Sequence, residues 1–545
     1  MQGNQLRKLE AELWRAADQL RANSKLTASE YSMPVLGLIF LRHAFNRFQK
    51  VKVEIEKDLP VHPQRGKRSL NKKDFEEKNS LFLPEKSQFE YLVNLPESAD
   101  IGDAIDNAMK AIEDEYDNLV GVLPRNFTIF SKDLLRELLR IFNKEVLQKA
   151  EGDLFGKIYE YFLNKFAMTG AQEGGEFFTP MSLVQTIVNV IEPDHGIVFD
   201  PACGSAGMFV QTGYFIESEG LKPAEKVSFY GQEKAELNTK LAKMNLAVHG
   251  LEGKIQEGNT FYEDKHDLVG KADFVMANPP FNVDGVDKAK DVVKKDPRLM
   301  FNGIVNLPKN DNANYLWIQY FYNYLKPTGR AGFVMASSAS DAGHSEKDIR
   351  EKLVNTGAVD VMMTIGNNFF YTRSLPCTLW FFDRAKENDK AKCDKVLMLD
   401  AISTATKEYQ LNKNKDWKDL NIQSEFIAPL KTLQQLLSGN PDEEEPGLLH
   451  ETEYFYKQAH WLTSRFPDGV YTDVEGLCKV VSQAEIEAKD WSLSPGRYVG
   501  VDTATDDDFD YEERLNEIHI ELEGLNEEAV VLAKNISENY KELAI

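Results

Sequence analysis

The chain has 545 residues, 42% hydrophobic and 28% charged, an ordinary globular composition long enough for about three domains without disulfide or metal staples. Its 64 Lys+Arg against 87 Asp+Glu leave −23 at pH 7, which excludes a protein that coats nucleic acid by charge alone, because neutralising phosphate takes a local excess of cations. The four cysteines (Cys203, Cys377, Cys393, Cys478) form no Cys-x-x-Cys pair, no apolar run reaches the ~18 residues of a membrane helix, and Met1 to Ala22 has no signal-peptide core; a reduced, cytoplasmic protein is expected, with no membrane partner.

Residues 1–165 are predicted to form a helical N-terminal domain. Leu6, Leu9, Leu13 and Trp14 open an amphipathic stripe, and Leu134, Leu135, Leu138, Leu139 and Phe142 make another. Residues 1–80 hold 16 basic against 10 acidic residues, so the remainder carries −29. Pro60 to Ser80, with Arg65, Lys67, Arg68, Lys72 and Lys73, reads as a basic loop, either a plain surface loop or one that meets a polyanion.

Over 166–400 short apolar runs alternate with helical stripes. Strands are predicted at Gly196–Asp200, Val227–Glu233, Ile255–Asn259, Asp273–Ala277, Arg330–Ala336, Val359–Ile365 and Pro376–Asp383, with helices such as Lys234–His249 and Asn314–Leu325 between them. This rhythm predicts an α/β fold with a doubly wound, mainly parallel sheet, whose ligands sit beyond the C-terminal strand ends. In the C-terminal region, 401–545, the rhythm fades. Leu515, Ile518, Leu522, Leu525, Ala529, Leu532 and Ile536 recur at alternating spacings of three and four, a heptad seam that predicts a coiled-coil-like helix over 511–545 serving subunit assembly. Residues 501–545 hold 3 basic and 14 acidic residues, as suits a tail that faces away from a polyanion or meets a basic partner.

Four motifs carry chemistry. In Val198-Phe-Asp-Pro-Ala-Cys-Gly-Ser-Ala-Gly-Met-Phe209 a strand ends at Asp200, and a turn with Gly204, Ser205, Ala206 and Gly207 opens a helix. Missing side chains there let a ligand press on the backbone. Glu233 closes the next strand, where a carboxylate can accept both ribose hydroxyls of an adenosine. Asn278-Pro-Pro-Phe281 follows an apolar strand, and its two prolines cannot extend a central strand, so they fix a rigid loop. The Asn278 side-chain oxygen and the Pro279 carbonyl can both accept from one exocyclic amine, and Phe281 offers a flat face to a base. Gly174-Gly-Glu-Phe-Phe-Thr-Pro180 precedes the first strand; Thr179 is expected to cap a helix over Met181–Ile191 with Pro180 at its first position.

Together and in this order these motifs resemble the amino-group DNA methyltransferases, and most closely the modification subunit of type I restriction–modification systems, with a class I S-adenosylmethionine-dependent, Rossmann-like fold. The resemblance implies transfer of a methyl group from S-adenosylmethionine to N6 of a flipped adenine in double-stranded DNA. It implies a separate DNA-specificity subunit serving two modification subunits, and an ATP-dependent restriction subunit in the full complex. Residue by residue, it places Glu176, Phe177, Phe178, Thr179, Pro180 and Met181, then Asp200, Gly204, Ser205, Ala206 and Gly207, then Glu233, Asn259 and Asn278 around the cofactor. It makes Asn278, Pro279, Pro280 and Phe281 the catalytic tetrapeptide, and Phe370 (or Phe369 or Tyr371) the aromatic against the flipped base. Asn259 departs from the Asp common among stand-alone adenine methylases. The chain has no Gly-x-x-x-x-Gly-Lys-[Ser/Thr] loop and no His/Cys cluster, so ATP-driven work is assigned to another chain and no metal is expected. The same tetrapeptide also serves protein glutamine N5-methyltransferases, and a catalytically inactive scaffold is the remaining alternative.

Overall fold

The computed structural model describes residues 3–22, 26–59, 68–78, 80–148, 156–163, 165–166, 179–301, 303–309, 312–366, 376–401 and 462–500. The heptad seam, the loop over 440–446, Arg65, Lys67, Glu176 to Phe178 and Phe369 to Tyr371 lie outside them.

Helices of two turns or more are numbered in chain order. The N-terminal part holds α1 (Gly3–Ala22), α2 (Ala28–Asp58), α3 (Ile101–Glu113), α4 (Lys132–Phe142) and α5 (156–163). Apolar residues recur along each helix at three- and four-residue spacings, so each presents one stripe, and the stripes share a single core. Leu9 and Leu13 of α1 are buried there, as are Leu134, Leu135, Leu138, Leu139 and Phe142 of α4. The basic segment differs from a simple loop. Lys72–Glu76 is a short helix capped by Asn71, and the Arg68 guanidinium holds Asp74 through both its terminal nitrogens. A capping asparagine three residues before an acidic one satisfies the orphan amides that would otherwise favour extended chain.

The strands are β1 (Gly196–Asp200), β2 (Val227–Glu233), β3 (Gly253–Glu257), β4 (Ala272–Ala277), the two-residue pair β5 (Met300–Phe301) and β6 (Ile304–Val305), β7 (Leu325–Ala336), β8 (Val359–Ile365), β9 (Cys377–Asp383), β10 (Lys395–Asp400) and β11 (Cys478–Ser482). Nine of them form one sheet in the order β11-β10-β8-β9-β7-β4-β1-β2-β3. Pairing is parallel across β7-β4-β1-β2-β3 and between β8 and β10. It is antiparallel on both sides of β9 and at β11. The expected doubly wound, mainly parallel sheet is therefore present, with β9 reversed inside it.

Helices α6 (Met181–Ile191), α7 (Gly207–Ser218) and α8 (Glu236–Val248) share a core with one face of the sheet; α9 (Asn314–Tyr324) and α10 (His344–Asn355) share a core with the other. The strands show why both faces close. Along β4, Phe274 and Met276 enter the first core while Val275 and Ala277 enter the second; β1 divides Val198 and Phe199 the same way. Successive side chains point to opposite faces, so an unbroken apolar run demands cover on both. Met244 and Val248 of α8 join the N-terminal core, which docks the helical part onto the catalytic sheet.

Candidate active site

Three neighbouring strands, β4, β1 and β2, end at one edge of the sheet, and each carries a candidate at its C-terminal tip: Asn278 after β4, Asp200 closing β1, Glu233 closing β2. The chain runs outward from β1 through β2 to β3 and returns on the other side at β4, so the switch point lies between β1 and β4.

The turn after β1 is locked to the tip of β2. The Gly204 N–H donates to Glu233 Oε2 at 3.0 Å, and the Cys203 N–H to the Gln232 carbonyl at 3.1 Å. Glu233 Oε1 accepts the Ala235 N–H at 2.9 Å, so each carboxylate oxygen is oriented by one backbone donor and keeps a lone pair for a ligand hydroxyl. Gly204 has φ +51, in the left-handed region open to glycine. A Cβ added at Gly204 or Gly207 would meet no atom within 4 Å, so this turn faces open space. Asp200 is buried and accepts the Ala202 N–H at 2.9 Å. Burial pushes its carboxyl well above the usual carboxylate range; the Ala202 N–H opposes this in part and the nearby Glu233 charge reinforces it.

The loop after β3 is held to the same edge. Buried Gln232 donates to the carbonyls of Gly258 (3.3 Å) and Glu263 (3.0 Å) and accepts the Lys265 N–H at 3.1 Å. The Thr260 hydroxyl donates to the Pro201 carbonyl at 2.6 Å. Asn259 uses its side-chain oxygen on the Phe261 N–H at 3.1 Å, which leaves the NH2 end of its amide for an outside acceptor.

The Asn278-Pro-Pro-Phe281 loop leaves β4 with Pro279 buried, Pro280 exposed and Phe281 half-buried against the core of α6 and α7. Asn278 Nδ2 donates to Thr179 Oγ1 at 2.8 Å. Asn278 Oδ1 is buried and has no hydrogen-bond partner among the described residues. A buried acceptor left open costs free energy, and at the end of a strand it can take a donor from a ligand. Thr179 is not a helix cap. The N-cap of α6 is Pro180, Met181 is its first residue, and no side chain caps it. The threonine hydroxyl is engaged by an amide 99 residues away, which local pattern could not reveal.

Two positioning residues were not anticipated. Asn314, buried at the start of α9, accepts the Asn282 N–H at 2.9 Å and donates to the Asn282 side-chain oxygen at 2.8 Å, fastening the far end of the catalytic loop. Gln232 is the other. Each is a buried polar residue inside an apolar element, a signal that sequence does carry, although the partners are not legible from it. Among the described residues no group of three or more His, Cys, Asp or Glu is arranged to hold a metal, and no helix is long and apolar enough to cross a membrane.

The residues present fit S-adenosylmethionine: open space above the glycine turn and an oriented carboxylate at the tip of β2. Residues 150–507 match the family described as N-6 DNA Methylase, and residues 9–142 match the HsdM N-terminal domain. The type I restriction enzyme MjaIX methylase subunit of Methanocaldococcus jannaschii is 34% identical over 97% of this chain and 90% of its own length. The HindI methylase subunit of Haemophilus influenzae is 32% identical over 76% of this chain and 86% of its own. In fold, the chain is similar to the crystal structure of a type I restriction–modification methyltransferase subunit from Streptococcus thermophilus, with a TM-score of 0.66, 20% identity, and coverage of 91% of this chain and 100% of the other.

Proposed function

The chain belongs to the N-6 DNA methylases, as a methylase subunit of type I restriction enzymes, and on that premise we propose that it methylates the 6-amino group of a flipped adenine in double-stranded DNA, with S-adenosylmethionine as donor. The observation that carries this reading is Asn278 Oδ1, buried and without a partner among the described residues, in a proline-stiffened loop after β4, the neighbour of β1.

Bound S-adenosylmethionine supplies an electrophilic methyl on a sulfonium. Gly204 to Gly207 let the methionine part approach the backbone, Asp200 faces its ammonium, Glu233 takes the ribose hydroxyls, and Asn259 offers its NH2 to the adenine ring. The N-terminal turn of α6, from Pro180 and Met181, receives the carboxylate end. Glu176, Phe177 and Phe178, which precede it in sequence, are assigned to the same cofactor segment.

An adenine amine is a poor nucleophile because its lone pair is delocalised into the ring. Asn278 Oδ1 and the Pro279 carbonyl each accept one of its hydrogens. That favours a tetrahedral nitrogen and stabilises the positive charge that grows during attack. Pro280 holds the loop rigid. Phe281 and an aromatic near 370 (Phe370, or Phe369 or Tyr371) stack the base, offsetting part of the cost of flipping it from the duplex, a few kcal/mol.

The DNA site is read by a separate specificity subunit, two copies of this chain serving one reader, and an ATP-dependent restriction subunit completes the complex. A chain of net charge −23 suits delegated DNA recognition. The test is to incubate the chain, assembled with its specificity partner, with labelled cofactor and unmethylated genomic DNA, then to identify the product nucleoside. N6-methyladenine is expected. Label confined to protein glutamine, or no transfer despite cofactor binding, would overturn the proposal.

A further inference from the structure

We infer that Asn245, on α8, is a positioning residue for the cofactor, fixing the Ser205–Ala206 peptide so that the glycine turn receives the methionine part of S-adenosylmethionine; this rests on the S-adenosylmethionine reading. Asn245 Nδ2 donates to the Ser205 carbonyl at 2.8 Å. A carbonyl oxygen only accepts, so the amide has one way round: turned over, it would set oxygen against oxygen. The other side of the same peptide is held as well, because the Ala206 N–H donates to the Cys203 carbonyl at 2.8 Å.

The turn needs such a hold. Ala206, the residue before α7, is buried at φ +65 and ψ +27. Residues with a Cβ seldom enter that left-handed region, and alanine has no polar side chain to bond its own backbone there. Its neighbour Gly207 faces open space, so rotation of the Ser205–Ala206 peptide would re-aim the backbone that a ligand meets. The mount is stiff. Ala242 and Leu246 of α8 lie in the core against the sheet, while Met244 and Val248 lie in the N-terminal core, so the helix is held from two sides.

Stability alone does not account for the amide. Asn245 is 1% exposed, and its Oδ1 has no hydrogen-bond partner among the described residues. A half-satisfied buried amide costs free energy that leucine, with the same branching and no polar atom, would avoid. What asparagine adds is its bond to the cofactor turn.

The test uses the full chain assembled with its specificity partner, native and with Asn245→Leu or Asn245→Ala. Two ligands are titrated calorimetrically: S-adenosylmethionine, and 5′-methylthioadenosine, which keeps the adenine, ribose and thioether and lacks the amino-acid end. Affinity for S-adenosylmethionine should fall about tenfold in both variants, while that for 5′-methylthioadenosine changes less than about twofold. The leucine variant should melt within about 3 °C of native, because the lost bond and the removed open acceptor offset each other.

Equal losses for both ligands would make Asn245 a general structural residue and overturn the inference, as would unchanged affinity for both. Failure of both variants to fold would overturn it too, since the amide would then be a requirement of the fold. A native complex that binds neither ligand, or both equally, sinks the cofactor reading itself, which the native arm shows before any variant is compared.

Discussion

Asn314 closes a two-bond clamp on Asn282, accepting its backbone N–H and donating to its side-chain oxygen, while Asn282 sits at φ +52. Asparagine tolerates the left-handed region better than other non-glycine residues, and the clamp fixes Asn282 there, where the loop turns back toward α9. With the Thr179 hydroxyl accepting from Asn278, the loop Asn278–Asn282 is held at both ends by side chains.

Replacing Asn314 with Ala removes both bonds of the clamp. Unfolding free energy should fall by about 1–3 kcal/mol and the methylation rate about tenfold, with cofactor affinity unchanged. Asn314→Asp keeps an acceptor for the Asn282 N–H and loses the donor, so its defect should be intermediate. Denaturant melts beside single-turnover rates check both, and an Asn314→Ala rate equal to native would show that the loop needs no clamp.

For Asn278 the expectation is sharper. Its Oδ1 bonds nothing among the described residues, so Asn278→Ala removes no structural bond at that atom. The variant does lose the Nδ2 bond to Thr179, so stability should fall by about 1 kcal/mol; cofactor affinity should stay near native while methyl transfer falls about a hundredfold, the ~3 kcal/mol of one lost transition-state interaction. Undiminished transfer would refute its role.

The contrast between Asn278 and Thr179 shows what sequence carries here. Strands β1, β2 and β8 fall where their apolar runs end, because buried parallel strands are apolar on both faces. The third strand was placed at Ile255–Asn259 and lies at Gly253–Glu257. It is an edge strand with Ile255 alone buried, so no apolar pattern fixes its ends. Strands β10 and β11 went unanticipated: β11 joins the sheet from far along the chain, and its pairing with β10 leaves no local mark. The positions of Asp200, Glu233 and Asn278 at strand ends are legible because each closes or follows an apolar run. The roles of Thr179, Gln232 and Asn314 depend on partners brought by the fold.

Gly207 gives a clean steric test. It is the first residue of α7, its φ is not in the left-handed region, and a Cβ there meets nothing within 4 Å. Gly207→Ala should leave stability unchanged or raise it by up to ~1 kcal/mol, since alanine loses less backbone entropy in a helix. If the open space belongs to the methionine part of the cofactor, affinity should still fall about tenfold or more, the overlap costing at least ~1.4 kcal/mol. Calorimetry beside a thermal melt separates the effects, and unchanged affinity would place the cofactor elsewhere.

Asp200 links the site to pH. Burial raises its carboxyl above the usual carboxylate range, so between the unfolded and the raised folded values the folded, ligand-free protein holds a proton that the unfolded chain has lost. The sign for folding follows: its contribution is fully present below the unfolded value and is lost as pH rises through the folded one. Cofactor binding has the opposite sign, because an ammonium beside the carboxylate favours the ionised form and lowers its pKa. Binding should therefore release a proton, and affinity should strengthen as pH climbs from the ordinary carboxylate range through the raised Asp200 value. Calorimetry in buffers of different ionisation enthalpy reads the proton directly. Asp200→Asn should abolish that release and flatten the pH dependence over this window; a native release that persists in the variant would assign the proton to another group.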